Sequence, residues 1–202
     1  DLKYGADSIT IHLREDRRHI KDKDLKKISK NKKILLNLEM AANEKMLKIA
    51  LKNKPNFICI VPEKRMEITT EGGLNLKKNK KKISKIVKIL NKQNIRTSLF
   101  INPNIQDVKI SKMIKADCVE LHTGKISNLI KQKKSFQNEI IKIKKATFLA
   151  NKLGIEVHAG HGMDYKTTNI LSKLSGIREF NIGHFIIGES VFVGMKKTIS
   201  NI

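Results

Sequence analysis

Short apolar runs alternate with longer amphipathic segments along the whole chain. The short runs are rich in β-branched and aromatic residues, a composition that is typical of brief, buried strands. Strands that alternate with helices in this way favour a parallel sheet covered by helices. Seven strands are predicted, at residues 8–13, 34–39, 57–61, 97–101, 117–121, 155–159 and 180–182.

The longer segments carry apolar residues at the spacing of one helix face, with lysines on the other faces. No Pro- or Ser-rich linker interrupts the alternation, so residues 1–202 are predicted to form a single domain. Helices are predicted around four apolar stripes: Met46, Leu47 and Ala50 after a cap at Asn43; Ile83, Ile86, Val87 and Leu90; Ile143, Ala146, Ala150 and Leu153; and Phe192, Met195 and Ile199.

Seven parallel strands fit either an open doubly wound sheet or a (β/α)8 TIM barrel that lacks one strand. Polar residues follow the predicted strand ends: His12, Glu39, Glu63, Asn102, Glu120, His158 with His161, and His184. An open sheet gathers its ligand contacts at one switch point, whereas a barrel gathers the ends of all its strands around one mouth. The spread of these residues therefore favours the α/β TIM barrel.

The net charge of the chain is large, but it says little about the function. The chain has 202 residues, with 42 Lys and Arg against 19 Asp and Glu, and a net charge of +23. Such a charge makes nucleic acid a candidate partner, because basic side chains neutralise phosphates. The lysines are nevertheless scattered, and Trp is absent as a stacking platform. A solvated basic surface is favoured, and a nucleic-acid-binding module stays open as the alternative.

Cysteine usage and hydropathy indicate a cytoplasmic location. Cys59 and Cys118 lie in apolar runs and form no CxxC pair, which fits a reducing compartment. No apolar run reaches the length of about 18 residues that a membrane span needs. The first residues also lack the basic and apolar pattern of a secretion signal.

All six histidines are predicted at strand ends or in the loops after them, where imidazoles could transfer protons. His12 and Arg14 share one face of the first strand by its period of two. Arg17, Arg18 and His19 follow in a turn that could hold an anion or form local ion pairs, and both interpretations stay open.

Two carboxylates and two loops complete the candidate chemistry. Glu39 and Glu120 sit in apolar runs, where desolvation raises a carboxyl pKa and allows proton transfer. The loop of residues 63–73 combines basic, hydroxyl and glycine residues, a weak signal for phosphate. Glycines beside His161 and His184 expose backbone N–H groups that suit phosphate. His158 and His161 could instead bind a metal, but no further ligands are evident.

Taken together, the blocks GADSITIHLREDRRHI, NLEMA, VPEKRMEITTEGGL, VELHTG, HAGHG and NIGHFIIG resemble those of the pyridoxine 5'-phosphate synthase family. The match covers nearly the whole chain, in order. The resemblance implies a homo-octameric TIM barrel with extra helices and no metal or organic cofactor. It also implies condensation of 1-deoxy-D-xylulose 5-phosphate with 3-amino-2-oxopropyl phosphate.

The resemblance also implies roles for individual residues. His12 and Glu39 correspond to proton acceptors, His161 to the proton donor and Glu120 to a transition-state stabiliser. The remaining matches are substrate-binding positions: Arg14, His19 and Thr69 for the deoxyxylulose phosphate, and Gly162, Gly183 and His184 for the amino-ketone phosphate.

Two departures from the family accompany these matches. The family begins with a strand that helps to bind substrate, and nothing before Asp1 supplies it. The strands at 8–13 and 180–182 would then present open edges, so this stretch alone is expected to be poorly soluble or inactive. His158 stands where Asn is expected, and its role stays open. Besides nucleic-acid binding, a metal-dependent TIM-barrel hydrolase is the other alternative function.

Overall fold

A computed structural model describes residues 2–63 and 72–202 of the chain. Its strands are β1 (Ile9–His12), β2 (Leu36–Ala41), β3 (Phe57–Val61), β4 (Arg96–Ile101), β5 (Cys118–His122), β6 (Glu156–Gly160) and β7 (Ile177–Asn181). Its helices are α1 (Asp22–Lys30), α2 (Glu44–Asn53), α3 (Leu76–Lys92), α4 (Ile105–Ile114), α5 (Gly124–Lys131), α6 (Gln137–Lys152), α7 (Tyr165–Ser172), α8 (His184–Val193) and α9 (Met195–Ser200). A 3-10 turn at Leu2–Tyr4 precedes β1.

The seven strands form one parallel sheet in which each strand pairs with the next one along the chain. Strands β1 and β7 are the two edges of this sheet in the described part of the chain. The sheet nevertheless curves strongly. The curvature is shown by the 2.8 Å hydrogen bond that the Thr10 hydroxyl on β1 donates to Asn181 Oδ1 on β7. The fold is thus an α/β fold with a curved parallel sheet, as predicted, while closure into a barrel stays a prediction.

Successive residues of each strand face opposite sides of the sheet, and the two sides differ in chemistry. On β2, Leu36, Leu38 and Met40 face the helices and are buried in the main hydrophobic core. The alternate residues Asn37 and Glu39 face the concave side. The core therefore lies between sheet and helices, and the concave side is left mainly to polar residues.

The predicted helical stripes pack against this outer side of the sheet. Ile83, Ile86, Val87 and Leu90 of α3 are all buried there. The predicted cap at Asn43 is confirmed, since its side chain accepts a hydrogen bond from the backbone N–H of Met46. These contacts hold α3 against the sheet and define the start of α2.

All seven predicted strands are present, with ends displaced by up to three residues. Two expectations about the last helices and strand β6 are wrong. The stripe of Phe192, Met195 and Ile199 is not one helix face, because Gly194 adopts a φ of 82° and separates α8 from α9, leaving Phe192 exposed. His158 lies inside β6 instead of at its end.

None of the described helices combines the length and apolarity that a membrane crossing requires.

Candidate active site

The central group of the site is His12, the last residue of β1. Its Nδ1 lies 3.6 Å from Glu39 Oε2 and its Nε2 lies 3.6 Å from Glu63 Oε2. Glu39 is its register partner on β2, and Glu63 follows β3, so three neighbouring strands converge here. Burial, with a smaller contribution from Arg14, lowers the pKa of His12 to about 4. The imidazole is therefore neutral near pH 7 and able to accept a proton.

Two buried carboxyl groups lie on the same concave face. Burial raises the pKa of Glu39 to about 7. Burial also raises the pKa of Glu120 well above its usual value, and the charge of Glu39 adds to this effect. Both residues lie inside their strands and not at strand ends as predicted, since β2 continues to Ala41 and β5 to His122. Near neutral pH, Glu39 can therefore either accept or donate a proton, while burial disfavours the ionised form of Glu120.

Glu120 is held by residues that the sequence reasoning did not select. Asn181 Nδ2 donates to Glu120 Oε2 at 3.1 Å, and the Cys59 thiol donates to the same oxygen at 3.6 Å. Burial raises the pKa of Cys59 well above its usual value, so it remains a thiol donor. The backbone of Gly160 leaves room for the carboxyl group, because a Cβ there would overlap it. The sequence offered one signal for the position of Cys59: the strand period of two places it on the same face of β3 as Val61.

His161 lies in the loop after β6 and is exposed. Its backbone has a φ of 79°, a conformation that non-glycine residues rarely adopt. Its ring centroid lies 4.8 Å from that of His122, which in turn packs edge-on against Phe100. The Thr123 hydroxyl lies 2.7 Å from the Gly160 carbonyl oxygen and 2.8 Å from that of His161, and this contact fixes the loop.

The basic segment after β1 divides into two parts. Arg14 Nε lies 3.9 Å from Glu63 Oε1 and faces the site. Arg17 instead pairs with Asp22 at 2.7 Å and Arg18 with Asp16 at 2.8 Å, which supports the local ion-pair interpretation for these two arginines. His19 is exposed, and its charge contributes to the low pKa of His12.

The predicted phosphate positions lie at loop and helix starts. Gly183 caps α8 without a side-chain hydrogen bond, and His184 is the first residue of that helix. By contrast, α4 and α7 begin with side-chain caps from Asn104 and Asp164. Gly162 has a φ of 75°. Three of these residues, Gly162, Gly183 and His184, are exposed to solvent.

Thr69 lies outside the described residues, as do Lys64, Arg65 and Thr70 of the same predicted loop. The part of the loop that is described ends on Gly73, whose backbone N–H donates to Asn102 Oδ1 at 3.0 Å.

Several buried polar atoms around His12 and His161 have no hydrogen-bond partner within residues 2–63 and 72–202. They are His12 Nε2, Arg14 Nε, Glu63 Oε2 and His122 Nε2. Unpartnered buried polar atoms are rare in native proteins and are typical of sites that complete their hydrogen bonds with a ligand. The same part of the chain offers one grouping of potential metal ligands, Cys118, Glu156 and His158, which does not include His161.

Comparison with known proteins identifies the family of this chain. The model of the family described as pyridoxal phosphate biosynthesis protein PdxJ matches residues 2–202. A pyridoxine 5'-phosphate synthase of Pelagibacter ubique is 68% identical over 199 residues, 98% of this chain and 83% of the relative. The enzyme of the same name from Zymomonas mobilis is 48% identical over 195 residues, 96% of this chain and 75% of the relative.

The solved structures that resemble this chain are much more distant in sequence. A 3-hexulose-6-phosphate synthase structure has a TM-score of 0.61 at 12% identity, covering 99% of this chain and 86% of its own. At such identity the likeness concerns the fold alone. The family match over nearly the whole sequence is stronger evidence, and it shows that the chain belongs to the family of pyridoxal phosphate biosynthesis protein PdxJ.

Proposed function

We propose that this chain acts as a pyridoxine 5'-phosphate synthase, condensing 1-deoxy-D-xylulose 5-phosphate with 3-amino-2-oxopropyl phosphate. Pyridoxine 5'-phosphate, inorganic phosphate and water leave. The family match favours this activity over the nucleic-acid-binding and hydrolase alternatives. The structural observation that carries the proposal is the neutral His12 between Glu39 and Glu63, with a buried Glu120 of raised pKa on the same concave face.

The reaction needs several proton transfers around one small intermediate. An amine adds to a ketone, water and phosphate leave, and the ring becomes aromatic. His12 is neutral at pH 7 and can take a proton from carbon or nitrogen. Glu39, with a pKa of about 7, can accept a proton in one step and return it in another. These two groups therefore serve as the proton acceptors.

Glu120 and His161 act on the other side of the intermediate. Burial raises the pKa of Glu120, and a carboxyl group whose ionisation is disfavoured can donate a hydrogen bond to oxygen where negative charge develops, which stabilises the transition state. His161 is exposed on a strained loop and its ring packs at a tilt against that of His122, so the ring can meet the substrate while the backbone stays fixed. His161 serves as the proton donor.

Two phosphate groups require two cationic or N–H-rich cradles. Arg14, His19 and Thr69 bind the deoxyxylulose phosphate. Arg14 Nε supports this assignment, because within residues 2–63 and 72–202 it lies at ion-pair distance from Asp16 and Glu63 but forms no hydrogen bond. Gly162, Gly183 and His184 bind the amino-ketone phosphate. The start of α8 supports that role, because its first N–H groups have no side-chain cap and carry the positive end of the helix dipole.

The architecture of the working enzyme is proposed from the same resemblance. An additional strand between β7 and β1 would complete a (β/α)8 barrel, because these two strands are the sheet edges in the described part of the chain and come near each other at the Thr10 to Asn181 hydrogen bond. We further propose that the chain forms a single domain, assembles as a homo-octamer and works in the cytoplasm without a cofactor.

The test is to mix the two phosphorylated substrates with the protein and follow pyridoxine 5'-phosphate by absorbance. Glu39→Gln and His161→Asn are each expected to lower turnover by about 100-fold to 10,000-fold, the usual contribution of a general acid or base. His158→Asn is the matched control, because the described contacts of His158 are with Glu156 and Glu179. Undiminished turnover in both Glu39→Gln and His161→Asn would refute the proposed roles.

A further inference from the structure

A second cluster of donor groups lies below the active site, where β5 and β6 begin. Cys118 and Glu156 are register partners on these strands, and His158 follows Glu156 on the same face. One donor atom from each residue lies within 4.8 Å of the other two. Cys118 and His158 are buried, and Glu156 is half-buried. The proposed reaction uses none of these residues.

The orientation of His158 matches that of a metal-binding histidine. Its Nε2 lies 2.9 Å from Glu156 Oε1, on the side of the other donor groups. Its Nδ1 lies 3.5 Å from Glu179 Oε1 on β7. Histidines that bind metals usually donate the second ring N–H to a carboxylate, which fixes the tautomer and the ring. Glu179 is placed to do this.

A cation already contacts two of the three donors. Arg96 Nη2 lies 3.2 Å from Cys118 Sγ and 3.2 Å from Glu156 Oε1. The Arg96 side chain is 45% exposed, and its guanidinium lies over the Phe57 ring at the edge of the cluster. The guanidinium can therefore swing into solvent and leave its place to another cation. The three donors that remain would be a thiol, an imidazole and a carboxylate.

We propose that Cys118, Glu156 and His158 bind a divalent transition-metal ion of the zinc class in place of the Arg96 guanidinium. On binding, the Cys118 thiol releases its proton to solvent and coordinates as the thiolate, while His158 coordinates through Nε2. Water fills the fourth position. Such a site cross-links β5 and β6 beneath the catalytic residues, and it has a structural role.

The first experiment titrates untagged, chelator-treated protein with Co²⁺ and records the thiolate-to-cobalt charge-transfer band. One equivalent is expected to bind, with release of about one proton. Cys118→Ser should abolish the band, and Glu179→Gln should weaken binding by about 10-fold to 100-fold. Cys59→Ser is the matched control for a buried cysteine and should retain the band.

The second experiment tests the exchange with arginine. Arg96→Gln removes the competing cation, so it should bind Co²⁺ more tightly than the unaltered protein does. Circular dichroism establishes that each variant is folded. The proposal is overturned if folded Arg96→Gln protein binds no Co²⁺. A band that survives in Cys118→Ser, or binding that depends on His161 and not on His158, would also overturn it.

Discussion

Replacing Glu39 by Gln is expected to stabilise the fold at alkaline pH while it lowers turnover. Its pKa is raised from 4.5 to about 7, because burial disfavours the charged carboxylate. Each pKa unit corresponds to about 1.4 kcal/mol, so ionisation of Glu39 lowers the free energy of unfolding by about 3 kcal/mol. Gln keeps the shape of the side chain and removes this charge.

The sign of the pH dependence follows from the raised pKa. Between about pH 4.5 and pH 7 the unfolded chain loses the Glu39 proton and the folded protein keeps it, so stability falls as pH rises. Above about pH 7 both states are ionised and the loss is complete. The advantage of Glu39→Gln should therefore be below about 1 kcal/mol at pH 5 and approach about 3 kcal/mol at pH 8.5.

The assay is urea unfolding of both proteins at several pH values across this range. Glu139→Gln is the control. Burial alone would raise the pKa of Glu139, but hydrogen bonds from Lys125 and Lys142 lower it overall. A group with a lowered pKa adds stability above its unfolded pKa, so Glu139→Gln should be destabilised by a similar amount at both ends of the range. A Glu39→Gln advantage that does not grow with pH would disprove the assignment of a raised pKa.

Three further substitutions have separate outcomes. Leu38→Ala removes a fully buried side chain and should lower the free energy of unfolding in urea by about 2–5 kcal/mol. Gly160→Ala places a methyl group where the Glu120 carboxyl group lies, so turnover should fall with a loss of about 1–3 kcal/mol in unfolding free energy. Asn181→Leu removes a hydrogen bond to Glu120 and should move the pH profile of turnover to higher pH; an unchanged profile would leave Asn181 a purely structural role.

The alternation of strands and helices could be predicted because each element has one apolar face. Helices such as α3 display this face directly in the sequence, and β3 was recognisable as a short run that is apolar throughout. The strand ends were less certain, since β2 continues beyond Glu39 through Met40 and Ala41. A polar residue on the concave face interrupts an apolar run in the sequence without ending the strand.

The main ionisable residues of the site could be predicted from the sequence, whereas the residues that contact them were predicted less well. His12, Glu39 and Glu120 stand out because ionisable groups in apolar runs are unusual. Asn181 and Cys59 were missed because their role depends on side chains from β5 meeting those from β7 and β3. Such contacts follow from the curvature of the sheet, which no local pattern in the sequence specifies.

The two faces of each strand explain how the fold tolerates a destabilising site. Register is fixed by the helix-facing side, where a slip of one residue in β2 would expose Leu38 and bury Glu39 against the helices. The concave side therefore contributes little to specifying the fold, and its residues are free to serve chemistry. Glu39 and Glu120 both oppose folding when charged, because burial disfavours that charge. Burial thus has two effects: it raises the pKa values that make these groups useful near pH 7, and it lowers the stability of the fold when the groups ionise.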